Sequence, residues 1–413
     1  MSDQALIIGG GHAGAELATS LRDQGWEGPI HLFSEETRLP YHRPPLSKGF
    51  LTGAVEEEKL AIKSQAAFDK AQVTLHLGQR VEAIYPDQKI IQLQDGTPYP
   101  YKGLALVTGA QPRHLDIPGA HQAFQKGLLH YLRSLSDAQA IRAACLPGQR
   151  LVIIGGGYIG LELAASATEL GLKVTVLEAQ PRVLSRVAGP ELSAIFTKAH
   201  REKGVEIQVS TAVTEFNTET NQAPIVLTCQ DGSSLWADWV VAGVGVNPNT
   251  QLAERAGLAV DNGIVVDEWA RTSVEGIVAA GDCTSHPNAF YGRRLRLESV
   301  PNALEQSRTA AATLAGLDKP YHAIPWFWSD QYDLKLKSVG ICAGYDQVVL
   351  RGDPSQRSFS MFYLQGKKVI AVDTVNRVPE FALAKRIVGE RIEIPENVLR
   401  DDSVPLKEAL PVI

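Results

Sequence analysis

The sequence predicts an α/β protein in which two domains with parallel sheets are accompanied by a smaller mixed α/β domain with an antiparallel sheet. A strand–glycine–helix–strand pattern occurs twice, a separate apolar strand ends in Gly281-Asp282, and segments near the end alternate between apolar and polar residues. The 413 residues, 44% apolar and 21% charged, suffice for two or three domains with their own cores. This composition excludes a disordered, collagen-like or disulfide-stapled protein.

The first copy of the pattern lies at the start of the chain. Ala5-Leu6-Ile7-Ile8 is an apolar run typical of a buried strand, and it leads into Gly9-Gly10-Gly11-His12-Ala13-Gly14. The spacing then predicts a helix over about 13–24, closed by Gly25, and a strand over 30–33 that ends at Ser34-Glu35.

The second copy has the same parts in the same order. A strand over 151–154 leads into Gly155-Gly156-Gly157-Tyr158-Ile159-Gly160, a helix extends to about Leu170 and Gly171, and a strand over 173–177 is followed by Glu178. One such motif alone is compatible with a structural turn. Two complete copies predict two Rossmann-like domains, each of which binds a dinucleotide.

Each part of the pattern has a mechanical reason. The first glycine permits the tight turn, the second lets the backbone approach a pyrophosphate, and the third lets helix and strand pack closely. The helix N-terminus holds the phosphates, and the later carboxylate accepts ribose hydroxyls. The residues expected to bind the two dinucleotides are Gly9, Gly11, His12, Ala13, Gly14 and Glu35 in the first copy, and Gly155, Gly157, Tyr158, Ile159, Gly160 and Glu178 in the second.

Acidic side chains that follow two of the predicted strands indicate which dinucleotide each copy binds. Glu178 would repel a 2′-phosphate, which favours NADH over NADPH at the second copy, although Arg182 and Arg186 lie close downstream. A strand over 277–280 ends at Gly281-Asp282, where the carboxylate can accept hydrogen bonds from the ribityl chain of a flavin. A Gly-Asp turn is also common without any ligand, but together with the first copy it favours FAD.

Charge and cysteine usage exclude other classes of protein. The net charge of −6 disfavours a nucleic-acid binder, and no apolar stretch approaches the roughly 18 residues of a membrane span. The sequence at the start lacks the pattern of a signal peptide. The cysteines are widely separated and have no metal-ligand spacing: Cys145, Cys229, Cys283 and Cys342. We expect a cytoplasmic enzyme without disulfides or metal.

Three later segments have clear local signals. Ser299-Val300-Pro301 predicts the start of a helix, because Ser is a good cap and Pro is tolerated in the first turn. Residues 334–337 alternate like a strand, and Gln365-Gly366 predicts a hairpin turn between two further strands.

At this point the sequence resembles the two-dinucleotide flavoprotein reductases of the glutathione-reductase-like class. Thr108-Gly109-Ala110 and residues 243–248 are similar to the segments where the chain of that class passes between FAD and NAD domains. Most of these enzymes have a cysteine pair beside the flavin, and related NADH oxidases have one cysteine. Here residues 41–48 contain no cysteine, so reduced flavin must pass its electrons directly to an acceptor.

Residues 43–48, 298–303 and 325–331 resemble the signatures of the putidaredoxin-reductase-like family, and the resemblance runs the full length of the chain. It implies that FAD and NADH reduce a small [2Fe–2S] ferredoxin, which supplies a cytochrome P450 or another oxygenase. We expect a monomer or weak dimer, and the net charge and the lack of long apolar stretches predict that it binds neither nucleic acid nor membrane.

The resemblance assigns roles to individual residues. Lys48 is expected at flavin N5 and O4, and Glu162 is expected to face the nicotinamide and pair with Lys48. Trp328 would cover the flavin and nicotinamide face, whereas Trp326 fits a core role. The remaining flavin contacts implied are Arg43, Pro45, Thr108, Gly109, Asp282 and the backbone N–H of Val300.

The roles of several other side chains are less clearly indicated. Arg308 and Lys407 match positions that contact the ferredoxin, and the basic cluster at 293–296 is a weaker candidate. The side chains of His12 and His42 have no evident chemical role, and Asn302 fits a structural one.

The expected domains are a discontinuous FAD domain over 1–116 and 246–319, an NAD domain over 117–245 and an interface domain over 320–413. A ferredoxin reductase is the preferred function, with rubredoxin as a lesser acceptor. An NADH oxidase is disfavoured by the missing cysteine. A signalling flavoprotein like apoptosis-inducing factor, the third alternative, has no support in charge or targeting segments.

Overall fold

The computed structural model describes residues 3–219 and 224–410, and these form two compact units. The chain segments of the first unit are the residues up to His42, Glu58–Gln111 and Asn247–Phe327. Those of the second unit are Arg43–Glu57, Pro112–Val246 and the residues from Trp328 onwards. The three domain boundaries drawn from the sequence stay a prediction.

A five-stranded parallel sheet is the centre of the first unit. In spatial order its strands are Ile277–Ala279, Gly103–Leu106, Ala5–Ile8, Ile30–Ser34 and Val73–Leu77. Strands covered by helices on both faces are buried throughout, and Ala5–Ile8 is therefore apolar at every position. The helices of this unit are His12–Asp23, Gln65–Lys70, Gln251–Arg255 and Val300–Leu314.

Two smaller sheets complete the first unit. One is antiparallel and consists of Val81–Tyr85, Ile90–Leu93 and Pro98–Pro100. The other is mixed and consists of Ile264–Val265, Thr284–Asn288 and Arg293–Leu295.

The second unit contains the same kind of parallel sheet. In spatial order its strands are Glu206–Val209, Lys173–Glu178, Arg150–Ile154, Trp239–Ala242 and Leu129–His130. A separate antiparallel sheet is formed by the three strands that follow Glu206–Val209 in the sequence: Val213–Asn217, Ile225–Cys229 and Ser234–Ala237. The helices here are Gly49–Thr52, Ala120–Gln125, Leu135–Ala144, Tyr158–Glu169 and Pro190–Glu202.

An antiparallel sheet, the C-terminal sheet, follows. Its strands in spatial order are Trp326–Gln331, Leu334–Gly340, Lys368–Val375, Ser358–Gln365 and Gln347–Asp353. The hairpin expected at Gln365-Gly366 is present, with Gln365 paired to Lys368 across the turn. The helices Val378–Gly389 and Glu396–Arg400 come after this sheet. The predicted fold class is confirmed.

The apolar core joins the second parallel sheet to the C-terminal sheet. Ile153 and Leu161, from the second copy of the pattern, belong to the same buried cluster as Leu336 and Met361 of the C-terminal sheet. A two-stranded sheet of Ala110–Pro112 and Val246–Pro248 contains the residues at which the chain passes from one unit to the other.

All four cysteines are free, and none is exposed. Burial raises the pKa of every thiol, to about 11 for Cys145 and Cys342. Within residues 3–219 and 224–410, no group of three or more His, Cys, Asp or Glu side chains is arranged to hold a metal ion. None of the helices described is both long and apolar enough to cross a membrane.

Candidate active site

The two glycine-rich turns have nearly the same backbone geometry. Gly9 and Gly155 have φ angles of +127° and +110°, a region that favours glycine. A Cβ atom at Gly9 would lie 2.2 Å from the carbonyl oxygen of Val107, and one at Gly155 would lie 2.4 Å from that of Gly243. Each turn is therefore closed by direct backbone contact with the neighbouring strand.

The third glycine of each copy allows equally close packing. A Cβ atom at Gly14 would lie 1.9 Å from the carbonyl oxygen of Gly9, and one at Gly160 would lie 2.1 Å from that of Gly155. A side chain at either position would push the helix away from the turn.

The middle glycines, Gly11 and Gly157, are different, because nothing lies within 4 Å of a Cβ atom placed on either one. Both are helix N-caps with extended backbone, and neither helix has a side-chain cap. The helix Leu135–Ala144, in contrast, is closed by a capping box from Ser134. Open space beside uncapped N–H groups fits a pyrophosphate, so both turns suit a dinucleotide.

The two acids after the second strand of each copy have different surroundings. Glu178 accepts hydrogen bonds from the backbone N–H groups of Gly156 and Gln180, at 2.7 and 2.8 Å. Its carboxylate is thus fixed against the glycine-rich turn. Glu35 is exposed and forms an ion pair with Arg80 at 3.3 Å.

The side chains between the second and third glycines of the two copies have different surroundings. The side chain of His12 lies 3.2 Å from that of His42, Nε2 to Nδ1, and burial lowers the pKa of His42. Ala13 is buried, whereas Ile159 is 47% exposed. The hydroxyl of Tyr158 is buried, and burial raises its pKa, as does the nearby carboxylate of Asp373.

Asp282 comes three residues after the strand Ile277–Ala279, which ends one residue earlier than the sequence predicts. Its neighbour Gly281 adopts a φ of +85° and donates its N–H to Gln306 at 2.8 Å. The turn that carries Asp282 is therefore fixed by the helix that follows. The crossover residue Thr108 donates its hydroxyl to the carbonyl of Asn249 at 2.7 Å, and the carbonyl of Gly109 accepts the N–H of Asn249 at 2.9 Å.

The helix Val300–Leu314 begins where the sequence predicts. The hydroxyl of Ser299 accepts the N–H of Asn302 at 3.3 Å and caps the first turn. The side chain of Asn302 donates to the carbonyl of Leu297 and accepts the hydroxyl of Tyr321. Asn302 is thus an internal brace for this helix start.

In the second unit, the segment around Lys48 forms the polar centre of the site. Lys48 Nζ lies 2.9 Å from Oε2 of Glu162, whose side chain is only 3% exposed. The hydroxyl of Ser47 donates to the same oxygen at 2.6 Å. Pro45 is in the short 3₁₀ helix Pro44–Ser47 that precedes Lys48, and Arg43 donates to the carbonyl of Arg133 at 2.5 Å. The pair of Lys48 with Glu162 that the resemblance implies is present.

Sequence reasoning missed the residues behind this pair. Ser329 donates to Oε1 of Glu162 at 2.7 Å, and Gln331 donates to Ser329 at 3.1 Å. His200 Nε2 lies 2.8 Å from Oε1 of Gln331. A local signal existed, because alternation along the strand Trp326–Gln331 puts Ser329 and Gln331 on one face and Trp328 on the other.

The tryptophans on that strand are both partly exposed. Since Ser329 faces Glu162, the side chain of Trp328 points to the opposite face of its strand. A role for Trp328 in covering the flavin stays a prediction.

A buried acid lies on the C-terminal sheet near the second fingerprint helix, Tyr158–Glu169. Asp373 is 6% exposed and accepts hydrogen bonds from Ser338 and Tyr363. Burial raises its pKa from 3.8 to about 6, and the two hydroxyls only partly offset this.

Arg308 is part of a surface network of charges. It donates to Glu16 at 2.7 Å and to Glu305 at 3.0 Å, while its side chain remains 49% exposed. Lys63 also approaches Glu16, at 3.5 Å. Arg308 therefore presents a partly neutralised charge to solvent.

The cluster at 293–296 is largely engaged within the protein. Arg294 donates to the backbone carbonyls of Val266 and Ser285, and Arg296 pairs with Glu298. Only Arg293 among the three has no such internal bond among the described residues.

Lys407 is exposed in the short helix Leu406–Ala409. The segment before it is fixed by Arg351, a fully buried arginine that forms an ion pair with Glu380 at 2.9 Å. The same guanidinium donates to the backbone carbonyls of Leu399, Asp401 and Val404. This arrangement holds the segment that carries Lys407 in one position.

Two family models match along the chain. Residues 3–307 match the family described as pyridine nucleotide-disulphide oxidoreductase, and residues 326–410 match the one described as reductase C-terminal. The chain is 46% identical to putidaredoxin reductase of Pseudomonas putida over 411 residues, which are 99% of this chain and 97% of that protein.

Solved structures share the fold along nearly the whole chain. The chain is similar to the covalent putidaredoxin reductase–putidaredoxin complex, with a TM-score of 0.93, 46% identity and coverage of 98% and 97%. It is also similar to the ferredoxin reductase for the CYP199A2 system of Rhodopseudomonas palustris, with a TM-score of 0.94, 39% identity and coverage of 99% and 100%.

Proposed function

The chain belongs to the putidaredoxin-reductase-like branch of the pyridine nucleotide-disulphide oxidoreductases, and from this we propose that it is an NADH-dependent ferredoxin reductase. Its reaction is NADH + 2 oxidised [2Fe–2S] ferredoxin → NAD⁺ + 2 reduced ferredoxin + H⁺. The ferredoxin in turn supplies an oxygenase such as a cytochrome P450.

One observation carries this function. In the segment where disulfide reductases of the class have cysteines, this chain has Lys48 held by the buried Glu162, and no cysteine occurs between residues 41 and 57. FAD, when bound, accepts an electron pair from NADH and releases electrons singly. Lys48 provides a fixed positive charge that stabilises an electron-rich partner, and Glu162 orients it.

The remaining residues bind the two dinucleotides. The open spaces at Gly11 and Gly157 receive the pyrophosphates, and the uncapped helix N-termini supply the N–H donors. Glu178, fixed by two backbone N–H groups, accepts ribose hydroxyls and repels a 2′-phosphate. These contacts favour FAD at the first turn and NADH at the second.

The acceptor is an acidic ferredoxin that docks transiently. The net charge of −6 is offset locally by exposed cations such as Arg308 and Lys407, and a local positive patch suffices to steer an acidic partner. The four free cysteines fit a reducing compartment, so we place the enzyme in the cytoplasm.

Anaerobic stopped-flow measurement tests the function. The yellow protein is mixed first with NADH or NADPH and then with a [2Fe–2S] ferredoxin or, in a parallel arm, a rubredoxin. We expect fast reduction by NADH, slow reduction by NADPH, and electron transfer to ferredoxin that slows as salt rises. Exposed charges more than about 8 Å apart are screened at physiological ionic strength, so docking weakens while flavin reduction hardly changes.

Three results would contradict the proposal. A colourless protein that cannot take up FAD removes its basis, and rapid NADH consumption in air without any carrier identifies an oxidase. Equal salt dependence of both half-reactions would refute charge-guided docking.

A further inference from the structure

A line of hydrogen bonds leads from the Lys48–Glu162 pair to the surface of the second unit. From Glu162 outward it consists of Ser329, Gln331, His200 and Tyr332, with successive distances of 2.7, 3.1, 2.8 and 3.2 Å. Ser329, Gln331 and His200 are fully buried. Buried polar side chains need partners, and here each is the partner of the next.

The direction of every bond in this line is fixed by chemistry. A carboxylate can only accept, so the hydroxyl of Ser329 donates to Glu162. The oxygen of Ser329 must then accept from the amide nitrogen of Gln331, which leaves the amide oxygen of Gln331 to face His200. His200 therefore carries its proton on Nε2.

The outer end of the line agrees with this direction. Burial lowers the pKa of His200, so its imidazole is neutral and Nδ1 is an acceptor. Burial also raises the pKa of Tyr332 to about 12, so Tyr332 keeps the proton that it donates to Nδ1. The charged groups around Tyr332 are Glu169, Lys203 and Asp333, which line a surface depression of about 510 Å³ together with Thr168 and Tyr332.

We propose that Ser329, Gln331 and His200 are positioning residues that turn the carboxylate of Glu162 so that its other oxygen holds Lys48. All four bonds point their positive ends toward Glu162, and bonds in such a chain polarise one another. Because Ser329 binds Oε1, Oε2 is left for Lys48 and Ser47. This inference rests on the proposed function, since it assigns the pair a task in the reaction with NADH.

This line of hydrogen bonds also connects the C-terminal sheet to the second fingerprint helix, Tyr158–Glu169, at Glu162. Glu162 lies on that helix, whereas Ser329 and Gln331 lie on the first strand of the C-terminal sheet and His200 on the helix Pro190–Glu202. Ser329 thus contacts the carboxylate of Glu162 directly, and His200 is linked to it through Gln331 and Ser329.

Graded substitution along the line tests the proposal. The measured quantities are the rate constant for flavin reduction at saturating NADH and the dissociation constant for NADH, both without ferredoxin. We expect decreases in the rate constant of about 10-fold for Ser329→Ala, about fivefold for Gln331→Leu, about threefold for His200→Phe and less than twofold for Tyr332→Phe, with NADH affinity nearly unchanged. A purely structural role would instead follow burial, and Ser329, Gln331 and His200 would then have equal effects.

Matched variants separate positioning from folding. Ser193→Ala removes a buried hydroxyl bond of 2.7 Å, to the carbonyl of Val183, from the helix that carries His200. This bond is not part of the line to Glu162, so the rate constant should stay unchanged. Ser329→Thr keeps the hydroxyl and should restore most of the rate if Ser329→Ala is slow or unstable. An equal decrease for Ser193→Ala and Ser329→Ala, or no rescue by Thr, would overturn the proposal.

A spectroscopic measurement on the resting protein is independent of turnover. In ¹⁵N-labelled protein without NADH, the ring nitrogens of His200 should show the neutral form protonated at Nε2 throughout pH 6–8. Protonation at Nδ1 or a titrating imidazolium would refute the direction of the chain. None of these measurements needs ferredoxin. If the rate constants do not decrease in the expected order but ferredoxin is still reduced, only this inference is refuted. If the order is as expected but ferredoxin is not reduced, only the proposed acceptor is refuted.

Discussion

The two copies of the fingerprint place a glutamate at the same position, two residues after the third glycine, and give it different surroundings. Glu16 follows Gly14, and Glu162 follows Gly160. Glu16 lies on a surface network with Arg308 and Lys63, whereas Glu162 is buried against Lys48, Ser47 and Ser329. One helix position thus supports a surface ion network in one copy and a buried ion pair, the proposed reaction centre, in the other.

The first residue after the middle glycine differs in the same way. The side chain of His12 in the first copy contacts that of His42, whereas the hydroxyl of Tyr158 in the second copy is buried, and the charge of Asp373 contributes to its raised pKa. The backbone of the turn is duplicated, but the side chains around it depend on what packs against each copy. On the proposed function, the sheet and turn bind the nucleotide, and the elements packed against them determine the chemistry.

The largest expected effect is the loss of affinity for one dinucleotide, and not the other, when the middle glycine of one copy is replaced. Gly11→Ala and Gly157→Ala place a methyl group in open space, so the stability of the apoprotein should change by no more than about 1 kcal/mol. In the proposed binding mode, the methyl group would occupy the space of the pyrophosphate. Gly11→Ala should lower FAD affinity by more than about 10-fold, and Gly157→Ala should do so for NADH while the protein stays yellow.

Flavin absorbance after purification and NADH titration measure these effects, and each variant is the control for the other. Loss of the same nucleotide in both variants would show that the copies do not have separate ligands.

The paired glutamates give the next largest effect. Glu162→Gln removes the charge that holds Lys48, and a bond to a charged group is worth about 1.5–3 kcal/mol, so the rate of flavin reduction should fall by about 10- to 100-fold. Glu16→Gln should change it by less than about twofold. Stopped-flow flavin reduction measures both, and similar losses in the two variants would remove the distinction between the copies.

Sequence patterns predicted the backbone part of this comparison, and the family resemblance added the pair of Lys48 with Glu162, but the other partners of Glu162 were not predicted. Strands, glycine turns and helix ends follow from local periodicity and from positions such as Gly9, where only glycine fits. The partners of Glu162 come from distant parts of the chain, because Ser47 and Ser329 are separated from it by 115 and 167 residues. Likewise, the burial of Arg351 and of Asp373 with its partners Ser338 and Tyr363 depends on packing between distant segments. Patterns in a single sequence do not reveal such packing.

The link between the second copy and the C-terminal sheet should appear in the pH dependence of stability. The carboxyl of Asp373 has a pKa of 3.8 in the unfolded reference and about 6 when folded, so ionisation between these values favours the unfolded chain. The free energy of unfolding should fall by about 2–3 kcal/mol across this window as pH rises.

Asp373→Asn should remove that loss, whereas the exposed Asp87→Asn should keep it. Urea unfolding of the apoproteins between pH 4 and 7 compares them. An identical pH profile for Asp373→Asn and the unsubstituted protein would show that this carboxyl is accessible to water.

The smallest effect concerns the surface network of the first copy. Arg308→Gln should raise KM for ferredoxin about threefold at low salt, and Glu16→Gln, which removes one of the two ion pairs of Arg308, should lower it about twofold. Both changes should disappear at high salt. Steady-state ferredoxin reduction measures them, and salt-independent changes would indicate altered structure instead of altered steering.

The burial of two thiols and the partial burial of the other two make the protein convenient for chemical labelling. Because burial keeps Cys145, Cys229, Cys283 and Cys342 protonated at neutral pH, maleimide reagents should modify them slowly. A substitution such as Lys407→Cys would then introduce a reactive group at a known position. A fluorophore or spin label attached there could report carrier binding in real time without removal of the native cysteines.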